Sequence, residues 1–139
     1  MLNKDSTYKN IIALNLARTP MRALSYATAT ALFALLYYLG SKPFAVGLIP
    51  PPWDKLAHFV LFSMLTLLMW IGTGGKRYLS IVAIVTALGL IDEVHQAFLP
   101  GRSADPEDLL TDFCAAVVTV MALRLLTERF SRESSASRF

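Results

Sequence analysis

The run Asp92-Glu93-Val94-His95-Gln96-Ala97-Phe98-Leu99-Pro100-Gly101-Arg102 places two acids, a histidine, an amide and an arginine within eleven residues. It follows directly on an apolar stretch, Tyr78 to Ile91. Ionisable groups at membrane depth are costly and are kept where they have a partner or a task. Asp54, Lys55 and His58 stand at the head of a second apolar stretch, and Asp105, Glu107, Asp108 and Asp112 at the head of a third. An imidazole among carboxylates and an arginine suits acid–base chemistry or the handling of a phosphoryl group, without a covalent serine. In that scheme Glu93 or His58 is the general base, His95 the partner acid, and Asp92 belongs with the catalytic set. Arg102 offers a planar fork to a substrate phosphate or carboxylate. Gln96, Lys55, Asp54, Asp108 and Asp112 complete the substrate-binding set, and Asp92, Asp108 and Asp112 also suit the orienting of these groups or the holding of a divalent metal.

The same residues have plainer uses. Asp54-Lys55 reads equally as an interfacial charge pair at a helix start, and His58 as a hydrogen bond pinning span two to span three. Arg102 can satisfy Asp105 or Asp108 across a loop. Asp112 is costly unless it accepts from a histidine, an arginine or a metal. Asp105 and Glu107 read as solvated loop charges, and Arg124 as a side chain snorkelling to the interface. There is no His-Glu-x-x-His pair, no cysteine pair, no Gly-x-Ser-x-Gly elbow and no phosphate-cradling glycine loop. A mixed site of His58, Glu93, His95 and Asp112 suits zinc or manganese, the one cofactor class left open.

The elements that must position these groups are visible in the composition. Of 139 residues, 55% are hydrophobic and 17% charged, against about 25% charged in an ordinary soluble domain. The apolar residues gather in four blocks, Leu24–Gly40, Leu56–Gly72, Tyr78–Leu99 and Leu109–Leu126. Each is near the ~20 residues that cross a bilayer as a helix. The expected fold is an all-α, four-helix membrane bundle over 24–126, with a cytoplasmic N-terminal lead at 1–23 and a disordered, serine-rich tail at 127–139. Thr19-Pro20 suits a helix start or a break. Basic residues before the first block would also suit a secretory signal; the length of the block and the lack of a small-x-small cleavage site favour an anchor. The single cysteine, Cys114, excludes a disulfide framework and reads as a small packing residue.

The net charge of +3 does not point to nucleic acid, because of where the bases fall. Ten of the 13 lie in the N-terminal lead, the 73–77 turn or the C-terminal end, and only Lys42, Lys55 and Arg102 lie in or beside the other loops. That alternation is the positive-inside pattern, with both termini and the 73–77 turn cytoplasmic. The loop from Ser41 to Asp54, with Pro50-Pro51-Pro52, suits an extended path. Helix direction then brings the heads of spans two and four and the end of span three to one outer level, with seven of the ten acids and both histidines. Asp54 and His58, Asp92 and Gln96, and Asp108 and Asp112 are each four apart and share a helix face. Asp92 lies about 21 Å along its helix from Tyr78 at 1.5 Å per residue, within a core about 30 Å thick. A three-helix polar pocket is the expectation.

These residues resemble the VanZ-like family of small bacterial membrane proteins. The resemblance rests on Asp54-Lys55-x-x-His58-Phe59-x-x-Phe62, on Asp92-Glu93-x-x-Gln96-x-Phe98-x-Pro100-Gly101-Arg102, and on Asp108-x-x-x-Asp112. It covers spans two to four in the family's order and spacing. Where the family shows glycines after the last acid, this chain has Ala115 and Thr119, both small enough for close helix contact. The resemblance implies a multi-pass protein of the bacterial inner membrane. Its founding member is linked to low-level resistance to the glycopeptide teicoplanin, and some members carry a phosphotransbutyrylase label. The expected function is an outward pocket that acts on or binds an envelope lipid, a lipid-linked precursor or a glycopeptide. The alternative is a non-catalytic protein whose polar cluster is an ion-pair network and which binds or modulates an envelope partner.

Overall fold

A backbone crossing lipid must satisfy its N–H and C=O groups within itself, which makes helix the default for a bilayer-length apolar run. The computed structural model describes the backbone of residues 4–136, with side chains from 18 to 129 and at 133. Among the described residues it has four α-helices: α1 Lys4–Gly40, α2 Trp53–Thr73, α3 Tyr78–Ala97 and α4 Pro106–Ala136. Each holds a segment long and apolar enough to cross a membrane: Arg18–Gly40, Trp53–Thr73, Tyr78–Ala97 and Pro106–Arg129. The expectation of an all-helical chain with four helices able to span a membrane is met.

The ends differ from expectation for local reasons. α1 runs unbroken through Pro20, which is exposed; the ring removes one backbone bond without displacing a neighbouring helix. α3 stops at Ala97, two residues before Leu99. There Phe98 and Leu99 donate their N–H groups to His95 and Gln96 three residues back, tightening the chain ahead of Pro100. α4 starts at Pro106, where a proline loses nothing by lacking an N–H. Asp105 caps it, its Oδ1 accepting the Glu107 N–H at 2.9 Å. At the far end, helix continues to Ala136 through residues that composition assigns to a disordered tail. Arg124 and Glu128, one turn apart at 3.7 Å, support that continuation; residues 137–139 lie outside the described ones. The α1–α2 loop is not simply extended: Pro43–Ala45 forms a 3₁₀ turn, and Trp53 N–H closes on Pro50 O at 2.9 Å.

The α2–α3 turn is tight because Gly74 and Gly75 both take positive φ, +68° and +74°. The Gly74 N–H returns to Ile71 and Trp70 carbonyls, a glycine cap of the common kind. Basic groups gather at this end. Arg22 lies against Gly74, and the Arg124 guanidinium sits 4.5 Å over the Tyr78 ring.

α4 packs against both α2 and α3, whereas α1 rests mainly on α2. The core is built from Phe62 and Leu65 of α2, Ile81 and Val85 of α3, and Ala115, Ala116 and Val120 of α4, with Ala29 from α1. Ala115 is fully buried and Thr119 half-buried, so small residues do serve this interface. Cys114 is exposed rather than packed. Large apolar side chains, Leu24, Leu79, Leu110 and Leu125 among them, face outward, as suits a lipid surround and not water.

α3 and α4 come close together at Gly89. A Cβ there would lie 2.6 Å from Asp112 Oδ2 and 3.1 Å from its Cβ. Gly89→Val is therefore expected to lower the melting temperature of the detergent-purified protein, by an overpacking cost of about 1–3 kcal/mol. Unchanged thermal unfolding would show that the two helices do not meet there.

Candidate functional site

The first turn of α4 sets the site. Lys55, in the first turn of α2, reaches across to it with an Nζ that donates to Asp105 and to Asp108, the latter at 2.7 Å. Asp54 and Glu107 stand farther off, at 4.0 and 3.8 Å. The Asp54–Lys55 pair is thus a minor contact, and the cross-helix pairs are the main ones. Sequence reading makes Asp105 a solvated charge. Instead it caps α4 and binds Lys55, and its carboxyl is held below the ordinary range, first by the Lys55 ammonium and then by the Glu107 N–H.

One turn deeper, His58 Nδ1 lies 3.0 Å from Asp112 Oδ1, and its Nε2 is 3.7 Å from Asp108 Oδ2. Asp112 has no exposed surface. With the Asp112 carboxylate accepting from Nδ1–H, Nε2 is the ring nitrogen that faces Asp108. The histidine that composition suggests as a pin to span three thus pins α2 to α4. Its ring also stacks parallel on Phe62 one turn further, with centroids 6.0 Å apart.

α3 contributes two adjacent carboxylates, Asp92 and Glu93, each only 4% exposed. Asp92 Oδ2 accepts from Gln96 Nε2 at 2.9 Å. Glu93 Oε2 accepts the Asp105 N–H at 2.6 Å, which ties the end of α3 to the cap of α4. Glu93 Oε1 is buried with no hydrogen-bond partner among the described residues, as is Asp112 Oδ2 against Gly89.

Two expected site residues are engaged elsewhere. Arg102 donates from a terminal nitrogen to the Ala45 carbonyl at 2.8 Å, and not to Asp105 or Asp108; its Nε is buried and unpartnered among the described residues. His95 stacks on Tyr37 of α1, with centroids 3.6 Å apart and planes within 14°. Of the residues with metal-ligating atoms, His58, Asp92 and Glu93 come together, one atom from each within 4.8 Å of the others. His95 and Asp112, members of the set read from the sequence, are not in that group.

A cavity of about 520 Å³ opens beside these groups. One wall is polar: Asp54, His58, Asp92, His95, Gln96, Arg102, Asp105 and Asp108. The other is apolar, from Leu32, Leu35, Leu36 and Leu39 of α1 and Phe44, Val46, Leu48 and Ile49 of the following loop. Lys55, Glu93 and Asp112 are not part of the lining. Sequence reasoning missed the α1 wall, because it followed charge. The signal was present as leucines at 32, 35, 36 and 39, a single helical stripe.

A model of the VanZ/LLP1 family matches residues 2–127, and the chain belongs to that family. No curated protein and no solved structure matches it. The geometry carries its own pH test. Asp105 is depressed in the folded protein, so its contribution to stability is complete above the ordinary carboxylate range and is lost as pH falls through its lower folded value. Melting temperature is expected to drop on acidification in that window, and Asp105→Asn to flatten the drop while lowering stability at neutral pH. Identical pH profiles for the two proteins would contradict the Lys55–Asp105 contact.

Proposed function

We propose that this VanZ/LLP1 member is a multi-pass protein of the bacterial inner membrane whose polar pocket faces outward. In this reading the pocket binds the headgroup of an envelope lipid or lipid-linked precursor. The observation that carries it is the two-sided cavity. Its volume of about 520 Å³ falls in the range of small-ligand pockets, roughly 300–1,000 Å³. The leucine stripe of α1 offers a wall for hydrocarbon chain, and the opposite wall offers Arg102, Gln96 and His95 to a polar headgroup. Arg102 is the natural anion contact, being the one arginine or lysine among the residues that line the cavity. The outward orientation is supported by the opposed charges: acids crowd the pocket end, and Arg22, Lys76, Arg77 and Arg124 the other, as the positive-inside rule requires.

The ion-pair reading also has an observation behind it. Lys55 donates to both Asp105 and Asp108 and does not line the cavity, so this part of the cluster holds α2 to α4. The two readings divide the residues between them: Lys55, Asp105 and Asp108 build the frame, and Arg102, Gln96 and His95 meet the ligand. Catalysis is a further step in the same reading. It would use His58 Nε2, on the polar wall, and Glu93 Oε1, which is buried with no partner among the described residues. An effect on teicoplanin susceptibility, as for the founding member of the family, would follow from engagement of a lipid-linked precursor at the outer face.

Native mass spectrometry of the detergent-purified protein tests the binding claim. An anionic lipid adduct is expected on the wild type. It should be weakened in Arg102→Ala by the worth of a charge-assisted hydrogen bond, about 1.5–3 kcal/mol, or roughly tenfold to a hundredfold in affinity. Equal adduct occupancy in the two proteins would remove Arg102 from the site. Absence of any lipid adduct on the wild type would sink the binding reading itself.

A further inference from the structure

We infer that His58, Asp92 and Glu93 form a divalent-cation site, with Asp112 holding His58 in ligating orientation from behind. The three donors come from two helices, and one ligating atom of each lies within 4.8 Å of the others. Ligands of a single ion at 2.0–2.2 Å stand about 3–4.4 Å apart, so small side-chain rotations close the set. Three protein donors with open positions facing a cavity is the pattern of sites that also take water or a ligand.

Charge argues for a cation here. Asp92 and Glu93 are adjacent, each 4% exposed, and their hydrogen-bond donors are neutral: the Gln96 amide and the Asp105 backbone N–H. Among the described residues no lysine or arginine forms an ion pair with either. Lys55, the nearby cation, is committed to the first turn of α4. Two buried carboxylates that share a single imidazole are expensive unless a cation joins them.

A second and independent observation concerns where the free valences lie. Glu93 Oε2 is occupied by the Asp105 N–H, whereas Oε1 is buried with no partner among the described residues. His58 Nδ1 is taken by Asp112 at 3.0 Å, so Nε2, which stands 3.7 Å from Asp108 Oδ2, is the nitrogen that would ligate. A carboxylate behind a histidine is the usual outer-shell arrangement at metal sites, where it fixes the tautomer and raises ligand basicity.

Two carboxylates and one imidazole favour Mn²⁺ or Zn²⁺ over Mg²⁺ or Ca²⁺, which prefer oxygen donors throughout. Asp92 and His58 line the cavity, so the ion's open positions face it. With the ion bound, His58 and Glu93 are ligands and not proton carriers, and a headgroup phosphate would meet the metal as well as Arg102. The site does not depend on lipid binding and is tested with the metal alone.

The full-length protein, purified in detergent, is stripped with a chelator and reloaded separately with Mn²⁺ and Zn²⁺; bound metal is counted by elemental mass spectrometry. About one ion per chain is expected for one of the two, and its loss in His58→Ala. Asp112→Asn should weaken binding about 10–100-fold. For Mn²⁺, pulsed electron paramagnetic resonance of the wild type should show coupling to an imidazole nitrogen, a reading that needs no variant to fold. No uptake of either metal, Mn²⁺ bound without nitrogen coupling, or Zn²⁺ retained in full by His58→Ala would overturn the site. None of these results bears on lipid retention, so the two proposals fail separately.

Discussion

Asp112 is a carboxylate in the second turn of α4 with no exposed surface, and much of the site end follows from accommodating it. Such a group needs a partner within reach and room to be packed. His58 of α2 supplies the partner through Nδ1 at 3.0 Å. Gly89 of α3 supplies the room, since any side chain there would overlap the Asp112 oxygen. One residue thereby draws α2 and α3 onto the same turn of α4. The first turn of α4 extends the junction outward, with Asp105 and Asp108 at the positive end of the helix dipole and Lys55 between them.

The cavity follows from which helices that junction does not bind. α1 rests mainly on α2, and at the site end it meets α3 through the Tyr37–His95 ring stack. Between that stack and the junction the leucines of α1 face the polar wall without filling the space. The loop after α1 closes one side of it, fastened by the bond from Arg102 to the Ala45 carbonyl. A chain this short thus encloses polar groups on one side and leaves an apolar surface on the other. That two-sided character is what a molecule with a charged head and a hydrocarbon tail would use.

The sequence showed the helices, because bilayer-length apolar blocks leave little choice of structure. It also showed that Asp112 needed a histidine, an arginine or a metal. What it could not show was partner choice among charges at one level. Lys55 was as near in sequence to Asp54 as it could be, yet it pairs with Asp105 and Asp108 across the bundle, because helix α2 directs the long lysine stem toward α4. Arg102 had the same acids within loop reach and took a carbonyl from the α1–α2 loop. Helix ends were misread where a local device decides them: the Asp105-Pro106 start of α4, and the tight turn before Pro100. The α1 wall escaped notice because a leucine stripe in a membrane span looks the same whether it faces lipid, a neighbouring helix or a cavity.

The central functional claim is that this junction and its cavity open to the outer side of the membrane. Ser103 is exposed and lines the cavity, which makes it the reporter. With Cys114→Ser removing the exposed native thiol, a Ser103→Cys protein in intact cells should react with a membrane-impermeant maleimide added from outside. Labelling that appears only after the cytoplasmic face is opened would contradict the claim and turn the pocket inward.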